Sequence, residues 1–113
     1  MKIVFANEDL RNECNNQDLL VKRYGAELAR LLRQRLDELF NAEVLEDMRS
    51  LPHVSISGSV QGGPDLSLDL GGPYRLVFRP YPHAKFSNGG MDWNKIDSIF
   101  ILGLFKQNAE PKP

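Results

Sequence analysis

The sequence predicts an α+β domain, in which a mainly antiparallel sheet of four or five strands is covered on one face by two or three N-terminal helices. Residues 17–41 repeat apolar side chains at the three- and four-residue spacing of an amphipathic helix. Residues 65–79 alternate apolar and polar side chains, as half-buried strands do. One strand, then helices, then a run of strands is the order of elements expected for an α+β fold.

The first half of the chain contains the predicted helices. Residues 2–6 are typical of a short strand, and Asn7 is placed to cap a helix over residues 8–14. The Asn15-Asn16 pair ends this helix and can cap the next. Gly25 lies within the long helical segment, where glycine costs about 1 kcal/mol relative to alanine. It therefore predicts either a helix break or a close packing contact.

The second half contains the predicted strands. A short helical turn over residues 42–51 ends at Pro52, and a polar loop separates the last two strands. The predicted strands are 53–57, 65–70, 74–79 and 96–105, with connecting loops at 58–64 and 80–90. The last strand is apolar on both faces, as a central strand should be. Residues 1–106 form a single predicted domain, and residues 107–113 are expected to be a flexible tail.

Composition excludes several classes of function. The chain has 113 residues, a net charge of −1 and one cysteine, Cys14, so an internal disulfide cannot form. No Cys/His cluster suggests a metal site, and we expect no cofactor. No apolar run approaches the ~20 residues of a membrane span, so we expect no membrane partner and a cytoplasmic location.

Two arginines stand out as candidate ligand-binding residues. Arg75 and Arg79 share one face of the predicted strand 74–79, roughly 13 Å apart at about 3.3 Å per residue. Paired guanidinium groups on a rigid strand can bind phosphate or carboxylate oxygens in bidentate fashion. The alternation alone favours a plainer interpretation, in which the outer face of a half-exposed strand carries charge for solubility.

Three segments of the chain form a recognisable series. They are Lys22-x-Tyr24-Gly25-x3-Ala29-x2-Leu32-x2-Arg35-Leu36-x2-Leu39-x2-Ala42, Leu68-Asp69-Leu70-x2-Pro73-Tyr74-Arg75-Leu76-x-Phe78, and Asp92-Trp93-x-Lys95 before a buried last strand. In their order and spacing these segments resemble the RelE/HigB-type toxins known as plasmid maintenance killer proteins. The resemblance extends over most of residues 1–105.

The resemblance implies a compact RelE-like fold and the toxin role in a type II toxin–antitoxin system. Such toxins bind the ribosomal A site and cleave mRNA there without a metal ion. The implied partners are therefore the ribosome, mRNA and a cognate antitoxin, expected to be a helix-turn-helix DNA-binding protein.

The resemblance also suggests site residues. Metal-free RNA cleavage needs a base for the ribose 2′-OH, a cation for the phosphate and an acid for the leaving oxygen. Arg75 matches the strand arginine of the family, and Arg79 lies on the same face. The catalytic candidates are Arg75, Arg79, His83 and Lys85. The RNA-binding candidates are Arg75, Arg79, Tyr81, Lys106 and His53, whereas Tyr74 is expected in the core.

The chain also departs from the family pattern. Val54 and Ile56 stand where a basic residue and a histidine are usual, and residues 50–74 contain no Lys or Arg. The last strand ends Leu104-Phe105-Lys106, without the usual tyrosine and histidine. We therefore predict weak or altered nuclease activity. The alternative is a catalytically degenerate RelE-fold protein that acts through protein binding or regulation.

Overall fold

A computed structural model describes residues 1–58, 65–83, 86–87 and 90–106. The predicted tail at 107–113 and most of the predicted loop at 58–64 lie outside these residues. The helices are α1 (Glu8–Cys14), α2 (Gln17–Tyr24), α3 (Ala26–Asn41) and α4 (Glu46–Arg49). The strands are β1 (Lys2–Phe5), β2 (Ile56–Gly58), β3 (Leu66–Asp69), β4 (Tyr74–Pro80), β5 (Phe86–Ser87), β6 (Gly90–Met91) and β7 (Ser98–Lys106), and a 3₁₀ turn spans Trp93–Lys95.

The main sheet has five strands in the order β1-β7-β4-β3-β2. Strand β1 runs parallel to β7, whereas β7, β4, β3 and β2 pair antiparallel with one another. The structure therefore confirms an α+β fold with a mixed, mainly antiparallel sheet. It also places the last long strand inside the sheet, between β1 and β4, as its apolar character predicts.

Asparagine caps and one glycine set the boundaries of the N-terminal helices. Oδ1 of Asn7 accepts a hydrogen bond from the backbone N–H of Leu10 at 2.8 Å, and Oδ1 of Asn16 accepts one from Leu19 at 3.1 Å. Both caps confirm the prediction. Gly25 separates α2 from α3 and has a φ of +92°, so of the two alternatives predicted for it the structure shows the helix break.

One apolar core joins the four helices to one face of the sheet, called here the inner face. The inner face is built by alternate residues of the strands, which are almost fully buried. Leu45 and Met48 are also fully buried, as predicted for the turn that contains α4, and Val44 is half-buried. The inner-face core residues are Leu66, Leu68, Leu76, Phe78, Ile99 and Ile101.

A bulge in β7 changes which of its residues point inward. Val77 pairs with Gly103 but the next residue, Phe78, pairs with Ile101, which leaves Leu102 as an extra residue. Gly103 has a φ of +148°, a conformation that favours glycine. Because of the extra residue, Leu104 packs against the core, whereas Phe105 points to the other side.

Two sequence predictions need correction. The predicted strand at 53–57 is a strand only from Ile56 to Gly58, because the backbone N–H of Val54 bonds to Leu51 in a turn that follows α4. The predicted loop at 80–90 is not wholly irregular, since Pro80 ends β4 and β5 pairs with β6.

None of the helices in the described residues is long and apolar enough to cross a bilayer.

We predict that Gly25→Ala destabilises the protein by about 1–3 kcal/mol, since its backbone conformation is accessible almost only to glycine. Steric crowding makes no contribution, because apart from the adjacent residues no atom of the described chain lies within 4 Å of a Cβ added there. The matched control is Gly58→Ala, where the described residues likewise leave the space open and φ is not in the glycine region. Urea unfolding of both variants checks the prediction, which equal midpoints would contradict.

Candidate functional site

The face of the sheet opposite the helices, called here the outer face, brings together the arginines singled out in the sequence. Burial of Leu76 and Phe78 directs Arg75, Val77 and Arg79 outward from the central strand β4. Directly paired residues of adjacent strands point to the same side of a sheet. The outer face therefore also includes Ser57, Ser67, Asp69, Phe100 and Phe105.

Arg75 is oriented by hydroxyl groups on β3 and β2, the two strands that lie on one side of β4. Its Nε donates to Oγ of Ser67 at 3.0 Å, and one terminal nitrogen reaches Oγ of Ser57 at 3.4 Å. Arg75 is half-buried and lies directly opposite Asp69 on β3. These contacts orient the guanidinium group of Arg75 above the central strand β4, and an oriented guanidinium group is suited to binding phosphate or carboxylate oxygens.

Arg79 is paired with a carboxylate. Its Nε donates to Oδ1 of Asp65 at 2.9 Å, and both side chains are more than a third exposed. An ion pair this exposed contributes up to about 1 kcal/mol, so an incoming anion can replace the carboxylate at modest cost. Asp65 and Asp69 also offset the positive charge of the two arginines, so the outer face has little net charge in the described residues.

Aromatic side chains lie beside Arg79. The ring of Tyr81 stacks on that of Phe100 with a centroid distance of 5.9 Å and an interplanar angle of 15°. Phe100 is paired across the strands with Arg79, and Tyr81 is 37% exposed. This pair offers an accessible π surface next to a guanidinium group, a combination suited to stacking with a nucleobase.

The other predicted site residues are not all gathered on the outer face. His83 is exposed two residues beyond Tyr81, and Lys85 lies outside the described residues. Lys106 is paired with Tyr74 and therefore points to the opposite side from Arg75. Tyr74 packs edge-on against Tyr24 at a centroid distance of 5.3 Å, which confirms it as part of the packing against the helices.

His53 lies against α3. Its Nε2 is 2.7 Å from a carboxylate oxygen of Glu38, whose other oxygen accepts a hydrogen bond from buried Arg35 at 3.0 Å. Nε of Arg35 is buried and has no hydrogen-bond partner among the residues that the structure describes. The interaction anchors the segment after α4 to α3, so the structure gives His53 a packing contact on the helical side.

A cleft of about 640 Å³ opens between α1, α2 and the bulged end of β7. On its wall, Glu13 accepts hydrogen bonds from Arg23 at 2.7 Å and from the hydroxyl of Tyr24 at 3.3 Å. Burial raises the pKa of Tyr24, and the Glu13 carboxylate adds to the rise. Because both donors belong to α2 and the carboxylate to α1, the cluster ties α2 to α1.

Sequence reasoning missed the serines that orient Arg75. Ser57 and Ser67 lie on different strands, so only the register of β2, β3 and β4 brings them to Arg75. The available signal was the alternation of small polar residues with leucines in β3. No group of three His, Cys, Asp or Glu side chains that could bind a metal ion occurs in the part of the chain that the structure describes.

Comparison of the chain with models of known protein families, with curated protein sequences and with solved structures finds no match. The chemistry that the outer face can perform is therefore the main basis for assigning a function. That face provides an oriented guanidinium group, a second one in an exposed ion pair, and an aromatic stack.

Cys14 lies apart from this face and is fully buried in the core. Burial raises the pKa of its thiol from 9.0 to about 11, with the Glu13 carboxylate adding to the rise and Arg33 opposing it. The folded protein therefore keeps the thiol neutral at pH values where the unfolded chain ionises it.

We expect folding stability to decrease between pH 9 and pH 11, because the unfolded state loses the Cys14 proton before the folded state does. The loss should reach about 2–3 kcal/mol. Urea unfolding across this pH range, compared between the parent and Cys14→Ala, measures it. The variant should be less stable at neutral pH but decline less steeply, and the Tyr24 contribution cancels in the comparison. Parallel curves would contradict the prediction.

Proposed function

We propose that the chain is a toxin of a type II toxin–antitoxin system with a RelE-like fold, and that it acts on RNA through the outer face of its sheet. The observation that carries the proposal is the oriented guanidinium of Arg75 on the central strand, at the position that matches the strand arginine in the resemblance to RelE/HigB-type toxins. The α+β architecture, with helices confined to the inner face, is compatible with such a fold.

In the proposed reaction, mRNA at the ribosome is cleaved by attack of a ribose 2′-OH on the adjacent phosphate, without a metal ion. Arg75 donates hydrogen bonds to the phosphate as its negative charge increases. Arg79 exchanges Asp65 for a phosphate oxygen, and Tyr81 stacks on a base. His83 and Lys85 are the candidates for proton transfer. Lys106 and His53 point away from the outer face, so any RNA contact that they make lies off that face.

The charge of the face predicts low affinity for RNA. Each phosphate that a cation neutralises contributes to binding through counterion release. In the described residues, Asp65 and Asp69 lie beside the two arginines, so few such contacts can form. Weak or altered nuclease activity remains our expectation.

A second candidate function is protein binding by a catalytically degenerate RelE-fold protein. It is favoured by the ion pair of Arg79 with Asp65 and by the 52% exposure of Phe105 on the same face. An acidic segment of a partner could cover the arginines. Under either function the proposed partner is a cognate antitoxin, expected to be a helix-turn-helix DNA-binding protein, in the cytoplasm.

We expect induced expression of the chain alone to stop growth and protein synthesis, and Arg75→Ala to relieve this inhibition. Loss of the guanidinium removes the phosphate contact. It also removes the hydrogen bonds to Ser67 and Ser57, at about 0.5–1.5 kcal/mol each, so the protein should remain folded. Growth after induction, labelled-methionine incorporation and mapping of mRNA 5′ ends are the measurements.

The matched control is Arg30→Ala, which removes an exposed helical arginine paired with Glu27. It should remain as inhibitory as the parent. Continued inhibition by Arg75→Ala would exclude the role given to that residue. Absence of any growth effect, together with tight binding to the product of a neighbouring gene, would favour the second function.

A further inference from the structure

On the side of β1 that faces away from β7, called here the free edge, backbone N–H and C=O groups have no strand partner among the described residues. The backbone N–H of Lys2 donates to the carbonyl oxygen of Asp97, just before β7, at 3.0 Å. The backbone N–H of Ala6 donates to the carbonyl oxygen of Ile101, within β7, at 2.9 Å. Because alternate residues of a strand bond to opposite sides, those of Ile3 and Phe5 face away from the sheet. In the described residues no strand pairs with this edge, which makes it a template for strand addition.

Clefts border this edge on both sides. A cleft of about 240 Å³ lies toward α3 and is lined by Ile3, Phe5 and Leu36 together with Phe40. Phe40 is 67% exposed, the most exposed of the large apolar side chains in the described residues. A second cleft of about 350 Å³ lies between the same strand and the start of α1. A strand added to β1 would find room on both faces of the sheet.

The charges along the α3 side of the free edge indicate which kind of partner would bind there. Arg33 and Asp37 line the same cleft as Phe40, and neither has an ion-pair partner among the described residues. One unpaired cation and one unpaired anion, a helical turn apart, form a surface that is complementary to itself after rotation by 180°. A partner of uniform charge would leave one of them unpaired.

We infer that this edge is the interface of a homodimer, in which β1 pairs antiparallel with β1 of a second copy. The twofold axis passes beside Val4, so Ile3 of one copy and Phe5 of the other exchange both backbone hydrogen bonds. The two sheets then become continuous. The inference does not depend on the proposed toxin activity, since Arg75 and Arg79 lie two strands away from the edge.

The register places compatible side chains opposite one another. Ile3 and Phe5 lie on the inner side, where the exposed Phe40 of both copies can cover them. Lys2 is opposite Ala6, so no cations confront each other across the pair. The rotation reverses α3, which brings Arg33 of one copy toward Asp37 of the other on each side of the axis.

The test is the mass of the purified full-length chain, measured by sedimentation velocity over a range of protein concentrations. We expect a dimer at micromolar concentration. Arg33→Asp and Asp37→Arg should each raise the dissociation constant roughly tenfold or more, because like charges then face each other. An equimolar mixture of these two variants should restore the dimer, since every facing pair is again of opposite charge.

Arg30→Asp is the matched control, because it makes the same charge change at an exposed position of α3 away from the cleft. Its dissociation constant should equal that of the parent, and near-UV circular dichroism confirms the fold of each variant. A monomer at all concentrations would overturn the inference, as would equal weakening by Arg30→Asp or failure of the mixture to restore association.

Backbone hydrogen exchange gives an independent measurement. The amide hydrogens of Ile3 and Phe5 should exchange at least roughly tenfold more slowly at high protein concentration, when they are bonded across the interface. Those of Lys2 and Ala6, already bonded within the sheet, should not change. A dimer that leaves Ile3 and Phe5 unprotected would place the interface elsewhere and overturn the inference.

Discussion

Burial of the inner face of the sheet beneath the helices determines the direction of every side chain on β4. Leu76 and Phe78 are fully buried, and full burial of such side chains contributes about 1.5–3 kcal/mol each. A slip of one residue would exchange the two faces of the strand and lose this contribution. The exposed ion pair of Arg79 with Asp65 is weaker, at up to about 1 kcal/mol. The core, and not the contacts of the arginines themselves, therefore fixes Arg75 and Arg79 on the outer face.

The bulge in β7 likewise determines which side chains at the end of that strand point toward the core. Without the extra residue at Leu102, strict alternation from Ile99 and Ile101 would direct Leu104 outward and Phe105 into the core. The bulge reverses that assignment, so Leu104 contacts the core and Phe105 is exposed beside Arg75. The exposure of Phe105 on the outer face thus depends on Gly103, which permits a φ of +148°.

Local signals in the sequence were sufficient for most elements but not for the site. The helix caps at Asn7 and Asn16 depend on neighbouring residues only, so they could be predicted. At Gly25 the sequence left a helix break and a close packing contact as alternatives. The alternation in β4 likewise predicted which face Arg75 and Arg79 share. The serines that orient Arg75, the bulge at Leu102 and the anchoring of His53 to Glu38 could not be predicted, because each depends on register or packing between residues distant in sequence.

The outer face of the sheet and the free edge of β1 are suited to different ligands. The outer face combines oriented cations with carboxylates that already compete for them, so it favours an anion able to displace Asp65 over one attracted from a distance by net charge. The free edge of β1 combines backbone groups, Arg33 and Asp37, all without partners in the described part of the chain, with the exposed Phe40. Because two strands separate the edge from β4, association there would leave the arginine-bearing face accessible. A dimer formed through this edge would thus leave the outer face free to bind a ligand, and its continuous sheet would present two arginine pairs on one surface.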